Sequence, residues 1–181
     1  MNFDQYNQIR HKIKGPIFSV ITPFKKNGDV DYIVLKKYLF HLYNRGARVF
    51  YIMFYNSRLG LLSKKEVIDL HKFISNIVKK KFKNCILIGA TPYHSNYNEI
   101  LSYLKLFKKI DIDLASLIFG EKYYSDDQIF NYFKKISNKS KIGLLLHQQP
   151  IENGIKSNPN TIKYSIKLLR KISLLKNFIA L

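Results

Sequence analysis

Short apolar runs alternate with longer amphipathic segments along the chain. The runs are apolar at consecutive positions, which is typical of strands in a parallel sheet with both faces buried. Between them, apolar residues recur three or four positions apart, which predicts helices that pack one face on that sheet. The six predicted strands span residues 17–21, 49–54, 85–88, 114–119, 142–146 and 178–181.

Polar residues mark the predicted helix starts. Capping boxes, in which a Ser or Asn cap pairs with a Glu or Gln three residues later, stand at Ser63/Glu66, Asn96/Glu99 and Ser125/Gln128. Asp31 can cap the first helix, and Asn158 before Pro159 predicts the start of the fifth. The apolar stripe of that fifth helix is predicted to contain Ile162, Ile166 and Leu169.

The spacing of the strands favours a barrel. They recur about every 32 residues, so eight units would need about 257 residues, close to the ~250 of a (β/α)₈ TIM barrel. A doubly wound open sheet is the alternative, but the first strand is followed by Thr22-Pro23-Phe24 and not by a glycine-rich phosphate loop. We therefore expect an α/β fold, a partial TIM barrel of about five βα units and a sixth strand over residues 15–181. Residues 1–14 are expected to be an N-terminal extension, and the sequence is expected to be a fragment or one part of an assembly.

Composition narrows the class of protein. One cysteine argues against a disulfide scaffold, and the chain shows neither a secretory signal nor a membrane-spanning run, so a cytoplasmic protein is expected. The net charge of +19 suits a polyanion binder, but Trp is absent while Asn, Ile, Tyr and Phe are abundant. This bias is typical of an AT-rich coding sequence, and no RNA-binding motif accompanies the charge. Nucleic acid is therefore not the expected partner.

Candidate chemistry lies where the strands end, because TIM barrels place their sites at the carboxyl ends of their strands. The first two strands end in Thr22-Pro23-Phe24 and in Phe54-Tyr55-Asn56-Ser57-Arg58. The third ends in Gly89-Ala90-Thr91, the fourth leads into residues 120–124, and the fifth ends in His147-Gln148-Gln149-Pro150. This set is rich in hydrogen-bond donors and contains one arginine, as a site for a small anionic substrate would be.

In these residues the chain resembles the dihydrodipicolinate synthase/N-acetylneuraminate lyase family. The resemblance runs from about Gly15 to Leu181. Its markers are Gly15 with Thr22-Pro23-Phe24, Asp31, Leu62-Ser63 with Glu66, Tyr123-Tyr124, Pro150 with Gly154, and residues 176–181. The order and spacing of these markers together carry the likeness.

The resemblance implies a class I aldolase or lyase that acts on pyruvate or another 2-keto acid and needs no cofactor. In this family a lysine of lowered pKa forms an imine with the keto carbon. That lysine follows the residue matching Leu181, so the sequence as written lacks the nucleophile and is expected to have no Schiff-base activity. Family relatives are commonly homotetramers, so a homo-oligomer is expected.

Several family positions are changed in this chain. The Gly-Thr-Thr-Gly-Glu motif falls on residues 54–58, where Tyr55, Asn56, Ser57 and Arg58 are expected to bind the substrate together with Thr22. The family's proton-relaying tyrosine falls on His147, which is expected to be the catalytic acid or base. An arginine of the family falls on or near Glu152, and the glutamate of the family's motif falls on Arg58. Both positions thus carry the opposite charge from the family, so Arg58 and Glu152 are predicted to face one substrate site.

Other interpretations remain open. His147, Arg58 and Thr22 can be structural residues, and the other histidines (His11, His41, His71 and His94) lack metal-ligand spacing and are expected on surfaces or helix faces. Three functions remain: a divergent lyase or aldolase, a catalytically silent barrel that binds small molecules or assembles, and a basic nucleic-acid-binding protein.

Overall fold

The described part of the chain contains six parallel strands, six α-helices and one short 3-10 helix, Leu59–Leu61. The computed structural model describes residues 3–92, 95–119, 124–148 and 164–180. The strands are Ile17–Ser19 (β1), Val49–Tyr51 (β2), Ile86–Ala90 (β3), Leu114–Leu117 (β4), Gly143–Leu146 (β5) and Phe178–Ala180 (β6). The helices are Phe3–Lys12 (α1), Tyr32–Asn44 (α2), Lys64–Lys81 (α3), Tyr97–Lys109 (α4), Asp126–Lys139 (α5) and Ile166–Ser173 (α6).

The strands lie in chain order, β1-β2-β3-β4-β5-β6, and every neighbouring pair is parallel. In a doubly wound sheet the order would reverse at a switch point, and no reversal occurs among the described strands. The predicted α/β partial TIM barrel is therefore confirmed. Within the described residues β1 and β6 are the two edges of the sheet and do not pair with each other.

Three strands, β1, β2 and β4, end earlier than predicted, whereas β3 extends two residues further, to Ala90. β2, for example, stops at Tyr51, whereas the apolar run continues to Phe54. Beyond Tyr51 the chain bends into a turn in which Ser57 N donates to Met53 O and Leu59 N to Phe54 O. Apolar character therefore continues into loops that still cover the core, and it does not by itself mark where ladder pairing ends.

The cap predictions within the described residues are confirmed. Each of the three capping boxes closes reciprocally, and Asp31 accepts from the backbone N–H groups of Ile33 and Val34. The last helix differs from its prediction, because α6 begins at Ile166 with Ser165 as its cap. Ile166 is 70% exposed and Leu168 and Ile172 are buried, so Ile166 does not belong to the buried stripe. The predicted cap at Asn158 and the stripe residue Ile162 lie outside the described residues.

The helices pack closely on the outer face of the sheet. A methyl group at Gly89 would lie 3.1 Å from Phe107 Cζ and 3.2 Å from both His71 Cδ2 and Ile112 Cδ1. Glycine at this position of β3 therefore lets α3 and α4 approach the sheet. It also shows that the α carbon of Gly89 faces the helices, whereas the neighbouring positions of β3 face the inner side of the curved sheet.

His71 lies on a face of α3, one of the two places expected for it, and this face is fully buried in the outer layer. Its ring stacks on Phe107 at 4.8 Å, and Nδ1 lies 2.7 Å from Val67 O. Nε2 has no hydrogen bond of good geometry within the described residues. Burial lowers the pKa of His71 to about 4, an effect that the Val67 and Ala90 carbonyls partly offset.

Helix α1 occupies most of the expected N-terminal extension and lies against β6. Tyr6 and Ile9 are buried, and the Arg10 guanidinium donates to Phe178 O at 3.4 Å and to Ile179 O at 3.3 Å. The guanidinium thus binds carbonyls of an edge strand. The predicted division of the chain at residue 15 stays a prediction. No helix among the described residues is both long enough and apolar enough to cross a bilayer.

Charge is distributed unevenly between the two ends of the strands. The segments that run from the last turn of each helix to the next strand all reach the amino ends of the strands, because the sheet is parallel. Their basic residues are Arg10, Lys12, Lys14, Arg45, Arg48, Lys79, Lys80, Lys81, Lys83, Lys108, Lys109, Lys139, Lys141, Arg170, Lys171 and Lys176. Their acidic residues are Asp111 and Asp113, and Asp113 is paired with Lys79. We call this surface the basic end.

At the opposite end, the described segments from each strand to the first turn of the following helix are balanced. Their basic residues are Lys25, Lys26, Arg58, Lys64, Lys65 and Lys167, and their acidic residues are Asp29, Asp31, Glu66, Glu99, Asp126 and Asp127. Positive charges are favourable near the carboxyl ends of helices and negative charges near their amino ends, because of the helix dipole. In the described residues, the excess of positive charge therefore gathers on the side away from the carboxyl ends of the strands.

Burial of His71 predicts acid sensitivity. An unfolded chain protonates this imidazole below about pH 6.5, whereas the folded chain resists protonation down to about pH 4. The stability that His71 contributes is therefore complete above pH 6.5 and is lost as the pH falls through this window. Between pH 7 and pH 5 the loss should be about 2 kcal/mol. Urea unfolding of the chain and of His71→Phe at both pH values measures it.

The variant should lose most of this pH dependence, whereas His41→Gln, a change at an exposed histidine of α2, should keep it. Equal pH dependence in the parent chain and in His71→Phe would show that His71 is protonated as readily in the folded state as in the unfolded one.

Candidate functional site

A cleft of about 490 Å³ opens on the inner face of the sheet. It is lined by residues from β1, β2, β5 and α6, namely Ile17, Tyr51, Leu145, Leu146, His147, Gln148 and Leu169. His147 and Gln148 directly follow β5, so the polar part of the cleft lies at the carboxyl ends of the strands. This is the position at which barrels of this architecture hold their chemistry.

Three side chains from three strands meet in this cleft. The hydroxyl of Tyr51, at the end of β2, lies 2.5 Å from Ser116 Oγ on β4 and 3.0 Å from His147 Nδ1 after β5. The Tyr51 and His147 rings are 5.9 Å apart and steeply inclined. Tyr51 therefore spans β3 on the inner side, which is possible because the curved sheet brings β2 and β5 towards each other.

Burial determines the protonation states of Tyr51 and His147. Desolvation raises the pKa of Tyr51 to about 12, although the hydrogen bond with Ser116 partly opposes the rise. Burial also lowers the pKa of His147 below its ordinary value. At neutral pH the cluster therefore holds a neutral phenol beside a neutral imidazole. Such a pair can exchange hydrogen-bond roles without separating charge in a poorly solvated cleft.

A backbone hydrogen bond also holds His147 in place. The His147 N–H donates to Leu117 O at 2.9 Å, which continues the β4–β5 ladder by one residue beyond β5. Ser116 is 1% exposed, and its register partner in β5 is Leu145, one of the residues that line the cleft. Both ends of the cluster are thus held by the sheet and not by a loop.

Thr22 and Ser57 are buried and joined to each other. Thr22 Oγ1 donates to Ser57 O at 2.7 Å, and Ser57 Oγ donates to Val20 O at 2.5 Å. Ser57 is 0% exposed. In this arrangement both hydroxyl protons hold the loop after β2 against the end of β1. A substrate-binding role for Thr22 and Ser57 stays a prediction, and it would require these bonds to rearrange.

The other residues of the motif after β2 lie nearer the surface. Tyr55 is half-buried, with its ring edge-to-face against Phe54 at 5.0 Å. Asn56 and Arg58 are exposed, and Arg58 adopts a left-handed backbone conformation with φ of 56°. None of these three side chains lines the cleft with His147. Their roles in substrate binding stay predictions.

Several predicted positions lie outside the described residues. They are Glu152, His94, Tyr123, Pro150, Gly154 and Leu181. The predicted coupling of Arg58 with Glu152 is therefore untested. Among the described residues, no three His, Cys, Asp or Glu side chains converge in a way that could hold a metal ion.

Sequence reasoning missed Tyr51 and Ser116. Tyr51 lies inside an apolar run, where an aromatic residue is ordinarily interpreted as part of the hydrophobic core. Ser116 was the available signal, because a serine in the middle of a strand with both faces buried needs a hydrogen-bond partner. Its partner comes from two strands away, and only the register of the sheet shows which residue that is.

Comparison with known proteins finds relatives of one kind. No family model matches the chain. The 4-hydroxy-tetrahydrodipicolinate synthase of Karelsulcia muelleri is 27% identical over 153 residues, which cover 83% of this chain and 50% of that protein. The enzyme of the same name from Wigglesworthia glossinidia brevipalpis is 28% identical over 174 residues, covering 92% and 53%. The chain thus spans about half the length of the curated relatives that it matches.

The fold agrees with this likeness. The crystal structure of N-acetylneuraminate lyase from Mycoplasma synoviae superposes with a TM-score of 0.71 at 23% identity, covering 99% of this chain and 55% of that one. Its similarity bears on the fold alone, and the two synthases add similarity in sequence. Together with the sequential parallel sheet and the polar cleft at its carboxyl end, these findings show that the chain is similar in sequence to 4-hydroxy-tetrahydrodipicolinate synthases and shares the fold of the dihydrodipicolinate synthase/N-acetylneuraminate lyase family.

Proposed function

We propose that the chain forms the proton-transfer half of a divergent class I lyase or aldolase that acts on a pyruvate-like 2-keto acid. The observation that carries the proposal is His147, held by Tyr51 in a cleft at the carboxyl end of the sheet. Similarity to this family supplies the class of reaction. The relatives' names support a lyase or synthase, and a homo-oligomer is the assembly that we expect for it.

The reaction assigns a defined task to His147. In imine formation an amine attacks the keto carbon, a C–N bond forms, and the carbonyl oxygen must gain protons before it leaves as water. An imidazole in the cleft can supply and recover protons at that oxygen. The amine belongs to a lysine that the resemblance places directly after Leu181, beyond the printed sequence. Arg58 and Asn56 are exposed after β2 and do not line the cleft, so to hold the substrate carboxylate they would have to turn towards it.

Borohydride trapping tests the proposal. The chain as printed should give no covalent adduct with pyruvate, whereas a chain extended along the parent reading frame past Leu181 should gain one pyruvate-derived mass. In the extended chain His147→Gln should slow trapping about 100-fold, as expected for loss of a general acid–base group. Intact-mass spectrometry over a time course measures both results.

His41→Gln is the matched control, because His41 is exposed on α2 and should leave trapping unchanged. An adduct on the printed chain would place the nucleophile among its own lysines and contradict the assignment. If the extended chain binds pyruvate without forming an adduct, the catalytically silent barrel is the better description.

The basic end favours a second candidate function, the binding of nucleic acid. A face lined by lysine and arginine from all six helix ends attracts phosphate, and it lies opposite the cleft. The two functions would therefore use separate surfaces. This candidate ranks second because helix dipoles alone favour cations at these positions.

Charge-reversal variants distinguish RNA binding at the basic end from a general effect of the net charge. Lys80→Glu, Lys81→Glu and Lys83→Glu together should weaken binding of a labelled RNA at least 10-fold and flatten the salt dependence, because phosphate contacts are lost. The matched variant, Lys25→Glu, Lys26→Glu and Lys65→Glu, changes net charge equally at the opposite end. Fluorescence anisotropy across a salt series measures both.

If the two triple variants weaken binding equally, the effect belongs to overall charge, and the basic end is not a binding surface. Binding at only millimolar RNA, with no difference between the variants, would also reject this second function.

A further inference from the structure

The direction of the hydrogen bonds around Tyr51 determines what His147 can do. A neutral imidazole has one N–H and one lone pair, and the partner of Nδ1 decides which nitrogen carries the proton. Here the partner of Nδ1 is the Tyr51 hydroxyl at 3.0 Å, and the same hydroxyl lies 2.5 Å from Ser116 Oγ. Tyr51 has a single proton to donate, so the two neighbours compete for it.

The imidazole is the stronger acceptor of the two. Its nitrogen lone pair is far more basic than the oxygen of an alcohol, so the Tyr51 hydroxyl donates its proton to the hydrogen bond with His147 Nδ1 and not to Ser116. Ser116 Oγ–H can then donate to the Tyr51 oxygen, which keeps a lone pair for it. Donation runs in one direction, from Ser116 to Tyr51 to His147, and each bond polarises the next.

We infer that Tyr51, supported by Ser116, is a positioning residue that holds His147 in the tautomer protonated on Nε2. This deepens the proposed function and rests on it. With Nδ1 occupied, the Nε2–H is the donor that His147 can offer to a ligand in the cleft. His147 then acts on the keto oxygen as a neutral hydrogen-bond donor through Nε2–H, while the Tyr51 proton stays on its own oxygen and holds Nδ1.

The burial of the cluster supports this arrangement. Ser116 and Tyr51 are both buried, so water cannot replace either bond at low cost. Neither residue belongs to the motif that was predicted to bind the substrate. The pair therefore adds positions to the site, and it comes from strands β2 and β4, where the backbone is fixed by ladder hydrogen bonds on both sides.

Nitrogen NMR of the histidine-labelled chain tests the inference without any substrate. In the parent chain near pH 7.5, His147 should show an unprotonated Nδ1 and a protonated Nε2, and His147→Gln identifies its signals by their loss. In Tyr51→Phe, which keeps the ring and removes the hydroxyl, the two nitrogen shifts should move towards the average of the two tautomers.

Two further variants separate this role from a structural one. Ser116→Ala removes the upstream donor and should leave the Nε2–H tautomer in place, because Tyr51 still donates to Nδ1. Tyr38→Phe removes a hydroxyl that donates to Ser19 O at 3.4 Å, and it should leave the His147 signals unchanged. Amide spectra show whether each variant keeps the fold.

A parent chain with Nδ1 protonated, or with nitrogen shifts unaffected by Tyr51→Phe, would overturn the inference. These results do not depend on pyruvate. Failure of keto-acid trapping would therefore reject the proposed function and leave the tautomer assignment standing, and the reverse also holds.

Discussion

The constraint on which this structure depends is that a parallel strand must bury both of its faces. On the outer face the helices provide the cover, and at Gly89 they approach so closely that a methyl group would make neighbouring side chains shift by a few tenths of an ångström. On the inner face the strands must cover one another by curving, and their side chains fill the concave side. Tyr51, Ser116 and His147 meet as a result of this curvature. The same packing requirement that shapes the barrel therefore assembles the polar cluster in its cleft.

Much of the fold could be predicted from sequence because local and tertiary signals agree. Ser63, Asn96 and Ser125 cap helices whose apolar stripes face the sheet, so two independent patterns mark the same start. In the last helix one stripe residue was predicted wrongly, although a cap and a stripe had been predicted there together. Ile166 was assigned to a stripe by spacing, but Ser165 starts the helix there and leaves Ile166 in solvent. The ends of the strands were uncertain for a similar reason, because apolar loop residues continue the pattern beyond the ladder.

The site could be predicted only in part, because hydrogen-bond partners across a sheet depend on register. His147 was identified from its place at a strand end, but its partner Tyr51 comes from a strand almost a hundred residues earlier. Conversely, Thr22 and Ser57 have residue types suited to substrate binding, yet their hydroxyl protons are donated to backbone carbonyls. His71 shows the same limit in the outer layer. Its place on a helix face follows from the sequence, but only the packing of α3 against Phe107 reveals that this face is buried.

The basic end has a consequence for how copies of the chain can meet. Because positive charge gathers at the amino ends of the strands while the opposite end is balanced, the described part of the molecule has an electric dipole that runs along the barrel axis. Two copies that approached end to end through their lysine-rich faces would repel each other strongly at low ionic strength. This repulsion disfavours a symmetric contact between two basic ends and leaves the balanced ends and the flanks of the barrel, where two dipoles can lie antiparallel.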